Sequence, residues 1–288
     1  MGILDSISHS SAKTGIRVVI AGVEKSGKTT LCCNAPTPLL IPLEQGYSGV
    51  SVHKVQMLEH FMHIITLLDE ILEKCKEGAF GYQSLVFDSA TALERHIHQA
   101  VLESDPAYVK GNSKAVTMTS ALGGYGKAYE LANEYFTAFL ARCDMLAVYY
   151  GINIVLTCHV FAAKVVDPAF GEYDTWDIQL HSPKNQKTYG KREMISQWAD
   201  VLGYLHEPFF VSEGKTMNKG VSQNKGRILA VNRTPNWVAG NRFGVVNDIA
   251  IPKEQGWNHL AKAIYDASGF DCYNRDVPAT PAVATVPA

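Results

Sequence analysis

The chain has 288 residues, 47% of them apolar, and a formal charge of −2. That apolar content is enough for a well-buried core in one large or two small domains. The near balance of charge excludes a globally basic nucleic-acid binder but leaves room for a local basic patch. Six cysteines with no CxxC pair read as reduced core thiols rather than disulfides or a zinc site. No uncharged apolar stretch reaches about 18 residues, so no membrane span is expected. The first fifteen residues lack the apolar run of a secretory leader. The opening MGxxxS fits a myristoylation pattern, but nothing else in the chain points to a membrane.

In chain order, residues 1–15 are expected to be a flexible segment. IRVVIA at 16–21 is a β-branched run and predicts a buried strand. A glycine-rich loop follows and opens a short helix through Leu31, which Pro36 and Pro38 stop early. LLIPL at 39–43 predicts the next strand, and 57–75 has helical apolar spacing with Gly78 beyond its end. SLVFDSA at 84–90 is a buried strand ending in an acid, with a helix over 91–103 after it. Residues 104–114 form a polar loop, 127–149 a long helix, and INIVLTCHV at 152–160 another buried strand. The polar stretch 161–191 predicts a long structureless loop of the functional or mobile kind. A helix near 192–199 leads to a strand at 201–206, with Trp198 and Tyr204 at a packed helix–strand junction. RILAVNR at 227–233 adds a strand, so a hairpin spans 201–233. The Pro/Ala/Thr/Val-rich end predicts a disordered tail over 269–288. Alternating strands and helices place the chain in the α/β class: a mostly parallel central sheet flanked by helices, plus a C-terminal antiparallel hairpin, with the core over 16–268.

The loop after the first strand satisfies GxxxxGK[ST] in full: Gly22, Val23, Glu24, Lys25, Ser26, Gly27, Lys28, Thr29, with Thr30 next. It follows a predicted strand and opens a predicted helix, the context this motif requires. Glycines let the backbone curl so that successive N–H groups face phosphate oxygens. Lys28 supplies a charge to the β- and γ-phosphates and Thr29 a hydroxyl to Mg²⁺. The ligand read from this loop is a nucleoside triphosphate with magnesium. Asp88, at the end of a strand, suits the magnesium shell, although Asp88 or Ser89 also suits a helix cap. Glu44 follows the second strand and could orient an attacking water as general base or be a surface glutamate. His159 ends a strand on the same edge and could touch the γ-phosphate or be a core histidine. His96 and His98 lie about 200° apart on a helix of 3.6 residues per turn and do not easily share a metal.

GVEKSGKTT, IPLEQG, SLVFDSATALE and NIVLTCHV before a long loop together resemble the RecA/KaiC-like P-loop ATPase core. NAPTPLL and GGYGKAYE at 123–130 are similar to phage-type, core-only recombinase relatives, the Sak-type single-strand annealing ATPases. The resemblance implies ATP as substrate, Glu44 as the water-activating residue and His159 as the γ-phosphate sensor, where the family commonly carries glutamine. It also implies a homo-oligomer with ATP at subunit interfaces and a basic residue acting in trans. Arg233 lies near the family's trans-acting lysine pair, with Val231 at the first position of the pair; Arg227 and Arg242 compete for the role. A cytoplasmic, phage-encoded protein in a bacterial host follows from the same resemblance, with single-stranded DNA and a single-strand-binding protein as partners.

Charge is segregated along the chain. Residues 181–233 carry nine Lys/Arg against four acids, and the rest is correspondingly acidic. Such segregation can make a phosphate-tracking groove. The densest part, HSPKNQKTYGKR at 181–192, offers Lys184, Lys187, Lys191, Arg192 and the stacking ring of Tyr189, and sits where the resemblance places a second DNA-binding loop. The matching first loop, 104–127, holds Tyr108, Lys110, Lys114, Tyr125 and Lys127 among glycines. The expected function is an ATP-dependent, single-stranded-DNA-binding ATPase that promotes annealing or strand pairing. The alternatives are a helicase-type motor or loader, and a regulatory ATPase scaffold that ignores DNA.

Overall fold

The computed structural model describes residues 14–112, 116–169, 171–183, 189–212, 219–222 and 226–273. Apolar runs that are buried along their whole length form its centre, as a parallel sheet covered on both faces requires. In chain order the first half comprises β1 (Arg17–Ala21), α1 (Lys28–Cys32), β2 (Pro38–Pro42), β3 (His53–Lys54), α2 (Phe61–Lys76), β4 (Ser84–Asp88), α3 (Ala90–Glu103) and α4 (Lys127–Tyr150). The second half comprises β5 (Asn153–Cys158), β6 (Val160–Asp167), β7 (Gly171–Ile178), α5 (Lys191–Trp198), β8 (Val201–His206), β9 (Phe209–Ser212), β10 (Lys219–Ser222), β11 (Arg227–Ala230), β12 (Gly240–Asn241), β13 (Ile249–Ile251) and α6 (Gly256–Ser268).

The nine-stranded sheet has the order β13-β11-β8-β1-β5-β4-β2-β3, with β12 also on β8. The strands from β8 to β3 run parallel, and β11, β12 and β13 run antiparallel to their neighbours. One face packs against α2, α3, α4 and α5, whose buried residues join Phe87, Leu156 and Leu202. The other packs against α1 and α6, through Leu31, Trp257, Leu260 and Ile264 on Val18, Ile20 and Leu205. Register pairs Ala21 with Cys158 and Pro42 with Asp88, so β1, β2, β4 and β5 all end at one edge. Ligands of open α/β sheets bind outside that carboxyl edge.

The expected α/β architecture is present, and β8 pairs antiparallel with β11 as the predicted 201–233 hairpin requires. The structure corrects the 161–191 loop. Its first part is the β6–β7 hairpin, paired at every position from Val160↔Ile178 to Asp167↔Gly171. The hairpin buries little apolar surface, so backbone pairing rather than a hydrophobic face defines it, and its alternation reads as polar. The Asp-Pro before Gly171 (φ +81) and the run of Tyr173, Thr175 and Trp176 were its available signals. The expected strand to 233 ends at Ala230. Helix α6 had no counterpart among the expectations, although Trp257, Leu260, Ala261 and Ile264 are buried at helical spacing. The expected disorder from 269 is also corrected: Cys272 is buried and its carbonyl accepts from Asn153 Nδ2 at 2.9 Å. Residues 274–288 and 1–13 lie outside the described residues, while Gly15 N donates to Ala147 O at 2.8 Å. Among the described residues no helix is long and apolar enough to cross a membrane.

Because Trp257 is fully buried in the layer that holds α6 to the sheet, Trp257→Ala is expected to lower unfolding free energy by about 3–5 kcal/mol. A urea titration followed by circular dichroism measures it.

Candidate active site

The loop between β1 and α1 is tightly tethered. Gly22 N donates to Cys158 O at 3.2 Å, and a Cβ on Gly22 would come within 2.6 Å of Leu205 O, so only glycine fits. Lys25 (φ 61) and Gly27 (φ 90) take left-handed conformations that curl the backbone. Glu24 and Lys25 are exposed on the crest, and Thr30 is half-buried in the first turn of α1. Lys28 is 6% exposed, and its ammonium donates to Gly22 O at 2.9 Å and Val23 O at 2.8 Å. Burial pulls its pKa below the usual lysine value, against the opposing charge of Asp88. Ser26 Oγ is buried within the loop with no hydrogen-bond partner.

Asp88 lies at the end of β4 and faces this loop. Its Oδ2 accepts from Thr29 Oγ1 at 2.8 Å and its Oδ1 from the Thr157 hydroxyl of β5. Ser89, not Asp88, caps α3, accepting from Ala92 N at 3.2 Å. The cap alternative therefore falls to the serine and leaves the carboxylate to the site. A cationic lysine, an orphaned hydroxyl and a hydroxyl–carboxylate pair of hard oxygens suit a magnesium-bound phosphate chain.

Glu44 and His159 meet beside it. Glu44 Oε1 accepts from Ser89 Oγ at 2.5 Å and lies 3.0 Å from His159 Nε2; its Oε2 accepts from Arg95 Nη2 at 2.6 Å. Burial pushes the Glu44 carboxyl up, but the hydrogen bonds from His159, Ser89 and Arg95 together outweigh it and hold the pKa at about 2. His159 N donates to Thr91 Oγ1 at 3.1 Å, and its carbonyl accepts from Gln179 N at 2.8 Å, just past β7.

A family model described as "AAA domain" matches residues 14–243. The chain belongs to this AAA domain family. The matched span contains the phosphate loop, Glu44, Asp88 and His159, so the AAA-type assignment and the geometry agree on a P-loop ATPase. No curated protein matches the chain.

The three arginines that the sequence offered for a trans role differ in their contacts. Arg227 reaches its own phosphate loop: Nη1 donates to Gly27 O at 3.3 Å and Nη2 to Pro252 O at 2.8 Å. Arg242 is held by Asp200 at 3.1 Å. Arg233 is exposed beyond β11, where its charge acts on Asp177.

The expected DNA-contacting set is only partly brought together. Lys184 and Lys187 lie outside the described residues. Tyr189 is 63% exposed. Two members are corrected. Lys191 is fully buried, with Nζ 3.4 Å from Glu94 Oε1. Arg192 is spent on Asp177 at 2.9 Å, Glu193 at 3.0 Å and Ser182 Oγ at 2.8 Å. Cations satisfied inside the protein have little to offer a phosphate backbone. Counting charge along the chain could not see this, because Glu94 is remote in sequence. The β6–β7 hairpin itself sets one cation, Lys164, against Asp167, Glu172, Asp174 and Asp177.

Around Lys191, Tyr129 stacks on His181 at 4.0 Å and His98 meets both rings edge-on. Burial, helped by the charge of Lys191, pushes the His98 pKa down to about 3. Below pH 6.5 the unfolded chain takes up a proton at His98 that the folded chain refuses until about pH 3, so stability falls as pH drops through that window. Urea midpoints between pH 7 and pH 5 are expected to decline, and His98→Gln to flatten part of that slope.

Proposed function

We propose that the chain is an ATP-dependent, single-stranded-DNA-binding ATPase of recombinase type that promotes annealing or strand pairing. The observation that carries the reading is the convergence at one sheet edge of the phosphate loop, the Thr29–Asp88 pair and the Glu44–His159 pair. Lys28, the loop amides and Ser26 hold the phosphates of ATP. Thr29 and Asp88 hold magnesium, which when bound neutralises phosphate charge. Glu44 orients the attacking water and takes its proton. At a pKa of about 2 it is a weak base, so its hydrogen bonds to Ser89, His159 and Arg95 must loosen for it to act. In this reading His159 reports the γ-phosphate; its side chain contacts Glu44 and its carbonyl accepts from Gln179 N at the base of the hairpin, which supports that role. Arg233 is exposed, whereas Arg227 and Arg242 are hydrogen-bonded or ion-paired within their own chain, so it is the arginine that acts on a neighbouring subunit of a homo-oligomer in this reading.

Support for DNA comes from the 104–127 segment more than from 181–192. Tyr125 is fully exposed at φ 55 between two glycines with positive φ, and Lys110 and Lys127 are exposed near it in sequence. A ring held out by a strained turn is a stacking platform for an unpaired base. The resemblance to Sak-type annealing ATPases supports the same reading. The acidic hairpin and the internally paired Lys191 and Arg192 favour the regulatory scaffold as the second reading.

ATP hydrolysis with and without single-stranded DNA separates the two. DNA is expected to stimulate a rate that Lys28→Ala abolishes, and Lys110→Ala/Tyr125→Ala/Lys127→Ala to remove the stimulation while sparing the basal rate. A Lys28-dependent rate indifferent to DNA, with no DNA bound in ATP, would falsify the recombinase reading. Glu44→Gln is expected to lower kcat by about 10²-fold or more with ATP affinity retained, measured by single-turnover hydrolysis and equilibrium binding.

A further inference from the structure

A cavity of about 600 Å³ opens between β8, the β6–β7 hairpin and the segment between β11 and β12. It lies on the face of the sheet opposite α1. Val201 and Leu205 pack into the layer with α1 and α6, Leu202 into the layer with α2 to α5. Strand alternation puts Tyr204 and His206 on the side of Leu202.

The walls are aromatic. Tyr204 and Trp237 stack with centroids 5.5 Å apart and planes 19° apart, and His206 lies 4.9 Å from Trp237. Trp176, 39% exposed, lines the hairpin side. Trp237 Nε1 and His206 Nε2 are buried with no hydrogen-bond partner. Asp174 and Asn236 add an exposed carboxylate and an exposed amide. Among the described lining residues there is no lysine or arginine.

We propose that this cavity is a nucleobase-binding site separate from the phosphate loop. A base offers a planar face to Trp176 and Trp237, and stacking on aromatic rings is the main attraction for an unpaired base. The Asn236 amide both donates and accepts, and Asp174 accepts, which suits the edge of a base with an exocyclic amino group. With no cation in the described walls, the sugar and phosphate stay outside, where Arg233 is an exposed cation on the same segment as Asn236 and Trp237. The base belongs either to a free nucleotide or to a single strand. The site does not depend on the annealing role: nucleoside binding without DNA-stimulated hydrolysis would leave it intact.

The test titrates the full chain with adenosine, cytidine and thymidine, which carry no phosphate, and reads tryptophan fluorescence and calorimetry. Adenosine and cytidine are expected to bind the wild type and Lys28→Ala equally and better than thymidine. Trp176→Ala should weaken them about tenfold or more, and Asp174→Ala should erase the preference over thymidine. Circular dichroism checks that both variants fold. Displacement of adenosine by a short oligodeoxyadenylate but not by dAMP identifies the strand as source, and the converse a free nucleotide; either supports a base site. Three results would overturn the proposal: no saturable nucleoside binding, binding that needs Lys28 but not Trp176, or Trp176-dependent binding of argininamide in place of nucleosides. ATP that displaces adenosine from the wild type but not from Lys28→Ala would overturn the claim that the site is separate.

Discussion

The Asp88 carboxylate is the constraint on which the site depends. It accepts the Thr29 hydroxyl from α1 and the Thr157 hydroxyl from β5. It therefore ties the helix after the phosphate loop to two adjacent strands. The parallel register of β1, β5 and β4 makes this possible, since strands slipped by one residue would turn Asp88 to the opposite face. Two hydroxyls hold this carboxylate in position beside the buried Lys28.

Helix α3 connects this centre to the far loop. Ser89 caps it and donates to Glu44, Thr91 accepts from His159 N, and Arg95 holds the second oxygen of Glu44. Glu94, beside Arg95, takes the buried Lys191 and the backbone of His181. One helix thus touches Glu44 and His159 with one side and His181 and Lys191 with the other.

Charge needs the same spatial treatment. Nine cations between 181 and 233 look like a groove when counted along the chain. Folding places Lys191 on Glu94, Arg192 on Asp177 and Glu193, and Arg227 on the phosphate loop. Burial without a partner is costly for any of these groups, so each has found a carboxylate or a carbonyl. Among the described cations of that span, Arg233 is exposed, on the same segment as Asn236 and Trp237.

The local parts were legible in the chain. Gly22 to Thr29 is a contiguous motif whose conformation follows from glycine and from the strand and helix that flank it. The buried strands ending at Asp88 and Cys158 are apolar runs that only a covered parallel sheet accommodates. Their acids and polar residues fall at strand ends because strand interiors admit few. What tertiary structure alone decided are the pairings across long separations. Only the fold brings Ser89, Arg95 and His159 around Glu44. Arg227 lies 200 residues from Gly27 yet touches it. The β6–β7 hairpin is held by backbone hydrogen bonds, which leave almost no trace in side-chain pattern, so it read as loop. Local conformation is set by neighbours in sequence. The fate of a charge is set by which carboxylate the fold brings to it, and that is a property of the sheet order.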